Sequence, residues 1–238
     1  LGQELHGFDR GFEHDAFLDW LAGQLSKLDA DALIVTGDVY DTVNPPIPAQ
    51  QRLYQFLRRA LAESPSLQIV LIGGNHDSAA RLELPKHLLD ASRIHLIGGM
   101  PRHDGKAIPA RTLIELRDKT GTPCAVCAAV PYLRPGDLAT VGVGESPLKV
   151  LYREVIEAAN AVRGSLPLIV TGHLHISGGA VSELSERRIV IVGEEAVASD
   201  IFPPGIAYVA LGHLHKPQLI SPLCQDRCRV GEKWEAGR

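Results

Sequence analysis

The sequence predicts an α/β protein, a layered sandwich of two mixed β-sheets flanked by helices. Three observations lead there. Apolar strands alternate with amphipathic helical stretches up to residue 91, the pattern of βαβ units and a largely parallel sheet. The later part is richer in strands, which suggests a second sheet packed on the first. Four apolar runs end alike, in a glycine followed by Asp, Asn or His: LIVTGDVYD (33–41), IVLIGGNHD (69–77), LIVTGHLH (168–175) and YVALGHLH (208–215). In α/β folds the edge just past the carboxyl ends of buried strands is where sites are built.

The elements follow in order. Residues 1–11 are polar and glycine-containing and read as loop. An amphipathic helix is expected over 15–28, with Phe17, Leu18, Leu21, Leu25 and Leu28 on one face. A strand spans 32–36. Asn44-Pro45-Pro46 then breaks the chain and opens a helix near 47–62. Its Leu53, Tyr54 and Leu57 are either core or a dimer contact, core being the commoner use of such a stripe. The run 69–72 is a buried strand, and Gly73 and Gly74 turn the chain sharply after it. A helix over 79–90 carries Leu82, Leu84, Leu88 and Leu89. Strands at 93–97, 112–116 and 124–130 are separated by turns at Gly98-Gly99, His103-Asp104-Gly105 and Gly121. A loop at 135–147 leads to a helix over 148–162 that ends at Gly164. Strands at 167–171, 188–192 and 206–211 follow. From Ser221 onward periodicity is lost and the residues are polar and basic. The expected organisation is one domain over 1–220 and an aberrant or disordered tail over 221–238.

A chain of 238 residues suffices for one large α/β domain. Its net charge of −4 provides no global basic field. That argues only against non-specific electrostatic binding, because a local groove with metal ions still holds phosphates. Arg102, Lys106 and Arg111 are scattered and read as a solvated face. No run approaches the roughly 18 apolar residues of a membrane span, and the first ten residues lack the apolar region of a signal peptide. A cytoplasmic location without membrane contact is therefore expected. Cys124 and Cys127, three apart on a strand, are expected to face opposite ways and to serve as small buried residues. Cys224 and Cys228 lie in the polar tail, and two lone cysteines do not make a zinc site.

The four strand ends point to metal chemistry. Asp38 offers a carboxylate able to bridge two cations, Asn75 an amide oxygen, and His173, His213 and His215 imidazole nitrogens. Mixed oxygen and nitrogen donors without thiolate suit manganese, iron or zinc. Two such ions ~3.5–4 Å apart would clamp a phosphate and activate a water for in-line attack. His76 is a candidate general acid or transition-state stabiliser. Asp41 or Asp77 would orient it from behind. Taken singly these signals are weak: an Asp after a strand is usually a turn or cap residue, and a histidine is more often just hydrogen-bonded. Their recurrence in one context carries the reading. His6, His14, His87, His95 and His103 lack that context, and His175, which copies the spacing of His215, stays ambiguous.

GDVYD (37–41), GNHD (74–77), the first GH (172–173) and GHLH (212–215) together resemble the calcineurin-like metallophosphoesterase superfamily in order, spacing and strand context. The opening LGQELHGFDR, with GDVYDTVNPP and GNHDSAARL, resembles more narrowly its SbcD branch of nuclease subunits, over roughly residues 1–219. The resemblance implies a metal-dependent DNA nuclease using two divalent ions, typically Mn2+. Such an enzyme degrades double-stranded ends 3′ to 5′ and opens hairpins in DNA repair and recombination. It works as a homodimer within a heterotetramer that includes an SbcC-type ATPase. By the same resemblance Asp38 is the bridging ligand, Asn75, His173 and His213 complete the second metal site, and His215 serves the first. His76 is the catalytic histidine and Asp41 its partner, with Asp77 in support. The same fold also serves phosphatases and cyclic-nucleotide phosphodiesterases. A third reading, from another class, is a non-catalytic dimerisation or scaffold fragment. The opening stretch and the segment 93–130 favour the nuclease.

Two departures qualify what the resemblance implies. In that family a strand ending in Asp-x-His precedes the LG with which this sequence opens, and no Asp-x-His stands elsewhere here. The expectation is a metallophosphoesterase fold with its first strand missing and its first metal left with Asp38 and His215. After Gln218 the sequence, LISPLCQDRCRVGEKWEAGR, no longer follows the family. A chain truncated at both ends, with weak or no nuclease activity of its own, is expected.

Overall fold

The computed structural model describes residues 1–138, 145–177, 179 and 197–220. The expected strand at 188–192, part of the expected loop at 135–147, the tail at 221–238 and with it Cys224 and Cys228 lie outside the described residues.

The chain opens with a small hairpin of β1 (Glu4–Leu5) and β2 (Phe8–Asp9), where a loop was expected. His6 and Gly7 both sit at positive φ, 52° and 80°, as a two-residue hairpin turn requires. Helix α1 (Gly11–Lys27) follows. It starts earlier than the apolar periodicity suggests, and the Asp9 carboxylate accepts the Gly11 N–H at 2.8 Å, satisfying one of the free donors of the first turn. Leu18, Leu21, Ala22 and Leu25 face the core. Phe17 and Leu28 do not: Phe17 lies against Trp20 at the surface, and Leu28 is past the last helical residue.

Strand β3 (Ala32–Thr36) leads to α2 (Ile47–Glu63), which carries a proline in its first turn. It buries Ala49, Leu53, Phe56, Leu57 and Ala60. Leu53 and Leu57 are thus core residues. Strand β4 (Gln68–Ile72) is buried along its whole length. The helix expected over 79–90 stops early as α3 (Ala79–Glu83) and passes into a 3-10 turn, Leu84–His87. Pro85 is the reason, since it has no N–H to continue the ladder and its ring crowds the carbonyl four residues back. Leu84 and Leu88 are left exposed. Strand β5 (Ile94–Ile97) follows, then a hairpin of β6 (Arg102–His103) and β7 (Lys106–Ala107). The remaining elements are β8 (Leu113–Arg117), β9 (Pro123–Ala128), α4 (Pro147–Val162), β10 (Leu168–His173) and β11 (Tyr208–Gly212).

Two sheets result. One is β3-β4-β5, all parallel. The other is β11-β10-β9-β8, with β10 parallel to both neighbours and β8 antiparallel to β9. The side-chain alternation of each strand explains their stacking. On β4, Ile69 and Leu71 pack outward against α1 and α2, while Val70 and Ile72 point into the space between the sheets. On β9, Ala125 and Cys127 meet them there, while Val126 and Ala128 pack outward with Leu151, Val155 and Ile156 of α4. Strands apolar on both faces can be satisfied only as inner layers, so helices cover both outsides.

One expectation about the cysteines is corrected. The β8–β9 register shifts between Leu116, opposite Ala125, and Arg117, opposite Pro123. Cys124 is the extra residue, and such a bulge resets the alternation. Cys124 and Cys127 therefore adjoin the same inter-sheet core instead of opposite faces. Both are free thiols, Cys127 buried and Cys124 half-buried, and burial pushes the Cys127 thiol up to about 12.

Candidate metal centre

Among the described residues β3 and β11 are the facing edges of the two sheets, each paired on one side only. Their carboxyl ends converge, and β10 ends beside them. The approach is too close for a Cβ. One on Gly212 would overlap the Thr36 carbonyl, and one on Gly74 would overlap the Asp38 carboxylate and N–H. Gly37 both meets the His173 ring and takes φ +94°. The glycine before each ligand is thus a demand of packing as well as of the turn.

The turns after these strands are strained where the ligands stand. Asp38 has φ 49° and His213 φ 84°. Left-handed backbone at residues other than glycine costs stability and concentrates at functional sites. At Asp38 it is upheld by Asp77, which is fully buried. Its carboxylate accepts Gly74 N–H at 2.8 Å, Tyr40 N–H at 2.9 Å and Val39 N–H at 3.1 Å, fastening the GDVYD turn to the GNHD turn. Asp77 therefore supports the loops and not the imidazole of His76. His76 Nδ1 lies 2.9 Å from the Asp41 main-chain carbonyl, so Asp41 engages it through the backbone. Because a carbonyl only accepts, Nδ1 carries the proton and Nε2 is the working nitrogen. The His76 N–H also donates to Asp38 Oδ1 at 3.0 Å.

His173 is the centre of the cluster, with only 2% of its surface exposed. Its Nδ1 lies 2.8 Å from the Thr36 carbonyl, so Nδ1 donates there. Its Nε2 is 2.8 Å from Asn75 Oδ1 and 3.3 Å from Asp38 Oδ2. A neutral ring so oriented presents a lone pair at Nε2, aimed at an amide oxygen and a carboxylate oxygen. Such a set is satisfied by a positive charge among the three atoms, a proton on Nε2 or a metal ion in its place. A divalent cation fits, and an imidazole whose other nitrogen is held by a backbone carbonyl is the usual form of a metal ligand. In the metal-free chain burial works to raise the Asp38 carboxyl, but a proton on His173 Nε2 in the place of the metal, through its hydrogen bond and charge, together with the His76 N–H, holds it below its ordinary value.

The remaining imidazoles are arrayed around this point. His213 Nδ1 is 3.4 Å from Asn75 Oδ1, and its ring centroid is 5.2 Å from that of His173. Asp38, Asn75, His173 and His213, from four different strand ends, are therefore brought together. His175 lies farther out, 6.1 Å from His213. His215 is exposed on the segment after β11. No group of three or more His, Cys, Asp or Glu side chains is closed around a point among the described residues. The cluster relies on the Asn75 amide for its third donor. Sequence reasoning missed three participants. The Thr36 carbonyl left no trace, being backbone. Tyr132 and Arg134 were visible as an aromatic and a cation just after another apolar strand. The Tyr132 ring stands edge-on to His173 at 6.1 Å, and Tyr132 N–H donates to Gly73 O at 2.8 Å.

A two-sheet α/β sandwich with an oxygen- and nitrogen-rich cation site at its strand ends defines a metal-binding hydrolase-type fold. Comparison with known proteins narrows the class: the calcineurin-like phosphoesterase family matches residues 5–217, and the chain belongs to it. Divalent metal ions are what that family uses, in agreement with the donor set. The chain is 44% identical over 227 residues to the SbcD subunit of the SbcCD nuclease of Rhodobacter capsulatus, covering 92% of this chain and 56% of that protein. The proteins of the same name from Escherichia coli K12 and Bacillus subtilis are each 33% identical, over 92% of this chain and 55% and 56% of their own lengths. The chain thus spans about half the length of the curated relatives it matches. No helix among the described residues is long and apolar enough to cross a membrane.

Proposed function

We propose that this chain carries the catalytic centre of a metal-dependent DNA nuclease of the SbcD type. The observation that supports it most is the convergence of Asp38 Oδ2, Asn75 Oδ1 and His173 Nε2 next to His76. The similarity to named nuclease subunits supplies the substrate class.

A divalent ion bound by Asp38, Asn75, His173 and His213 would supply a Lewis acid for a phosphoryl oxygen. The chain's own residues do the rest. Asp38 stands at the junction of the turns, where the His76 N–H donates to its Oδ1 and keeps the other oxygen facing His173. His76, steered by the Asp41 carbonyl, holds Nε2 toward the reacting group, where a protonated ring gives its proton to the departing oxygen. Asp77 keeps both turns in place. His215 belongs in this reading to a first metal site shared with Asp38.

In the cell the reading extends to manganese as the activating ion, to 3′-5′ digestion of duplex ends and hairpin opening, and to cytoplasmic DNA repair and recombination. The relatives are named as parts of SbcCD, which supports a partner subunit; the reading takes that partner to be an SbcC-type ATPase joined to a homodimer of this chain. The test is to incubate the manganese-loaded chain with linear duplex DNA and, separately, with a chromogenic phosphomonoester, using His173→Ala to expose contaminating nuclease. Slow manganese-dependent loss of duplex, absent in the variant, is expected. Monoester hydrolysis without action on DNA would replace the reading by a phosphatase. Metal binding with neither activity would favour a scaffold.

A further inference from the structure

We propose that Arg134 is a phosphate-binding residue at the rim of the metal centre, gripping a backbone phosphate of the DNA strand next to the one that reacts. The inference rests on the nuclease reading above and assigns it a residue for the substrate's charge.

Arg134 lies on the segment that leaves β9 and crosses the site. Tyr132 N–H ties that segment to Gly73 O, at the head of the GNHD turn. The backbone at Arg134 is pinned as well: its N–H donates to Asp137 Oδ2 at 2.8 Å, and Asp137 N–H donates to Arg134 O at 2.7 Å. From this anchor the guanidinium reaches the main-chain carbonyl of Asp77 at 2.9 Å. It lies 5.5 Å from the centre of the Tyr132 ring, the ring that stands edge-on to His173. The cation is thus one peptide from His76 and one side chain from a metal donor.

No carboxylate pairs with the Arg134 side chain among the described residues, and Nε and Nη1 have no acceptor there. The neighbouring acids are engaged elsewhere. Asp77 accepts three backbone N–H groups, and Asp137 accepts the Arg134 N–H and faces Arg102 at 3.7 Å. A fixed, half-buried guanidinium with spare N–H groups is suited to phosphate oxygens, which its planar fork meets two at a time. Bracing the Asp77 turn needs only the one bond to a carbonyl and gives no reason for the spare N–H groups.

The test uses Arg134→Gln and Arg134→Lys in the full chain with manganese and in a His76→Ala background that suppresses turnover. Binding of a short linear duplex is followed by fluorescence anisotropy across a salt series, beside manganese affinity and thermal midpoint. Arg134→Gln is expected to weaken binding about fivefold or more and to lower the slope of log K against log salt by about 1, as loss of one phosphate contact does. Manganese affinity and midpoint should stay put, and Arg134→Lys should restore the slope but only part of the affinity. Unchanged binding and slope in Arg134→Gln overturns the inference, as does a joint loss of manganese affinity and thermal midpoint, which marks a brace. If the parent chain fails to bind duplex at any salt, the nuclease reading falls and this inference with it.

Discussion

His173 Nε2 lies 3.3 Å from Asp38 Oδ2, across an interval of the chain that spans both sheets. The other nitrogen of that ring is committed to Thr36 O. A positive charge between the two satisfies the pair, either a proton on Nε2 or a metal ion in its place. Calorimetric titration with manganese is expected to show one ion per chain. His173→Ala should abolish it and His215→Ala should change it little. Two tight ions would mean that residues beyond this cluster complete a second site.

Asp77 fastens the two ligand turns with three accepted hydrogen bonds. Asp77→Ala leaves three buried N–H groups without a partner, and bonds to a charged acceptor are the costly ones to lose. A loss of about 3 kcal/mol or more is expected in urea unfolding, at the upper end for single substitutions. Manganese affinity should fall with it, because Asp38 and Asn75 no longer hold their spacing. A variant as stable as the parent would show that the turns are held by something else.

Stability should depend on pH near neutrality through His95. Burial depresses its pKa below the ordinary 6.5, more than Asp90 raises it and with a further push from Lys86. Below about 6.5 the unfolded chain takes a proton that the folded chain resists, so the unfolded state gains. The contribution is present above the unfolded pKa and is lost as pH falls through the folded one. Urea midpoints in the presence of chelator should drop between about pH 7.5 and about pH 5.5, and His95→Asn should flatten that slope. His14, depressed by burial too, keeps it from vanishing. An identical slope in the variant would remove His95 from the account.

Most of the fold was legible because it is written in local pattern. The strands at 32–36 and 69–72 and the helix near 47–62 are found within a residue or two of where periodicity and proline place them. The misreadings have physical causes. Leu84 and Leu88 fit a helical stripe, but Pro85 has no N–H to keep the helix going. The hairpin at Glu4–Asp9 is too short for alternation to show. Cys124 looked opposed to Cys127 because a bulge cannot be counted from one strand alone.

The sequence by itself determined that Gly37, Gly74 and Gly212 precede polar donors at strand ends. A donor's type and its place after an apolar run are properties of neighbouring residues. Tertiary structure alone decided that Asp38, Asn75, His173 and His213 meet, that Asp41 steers His76 through its carbonyl, and that Asp77 clamps backbone instead of imidazole. It also decided that the Arg134 guanidinium reaches the Asp77 carbonyl beside the site. These depend on distances of a few ångströms between groups far apart in the chain. Such distances are set by how the two sheets pack, through the contacts that forbid a Cβ on those glycines.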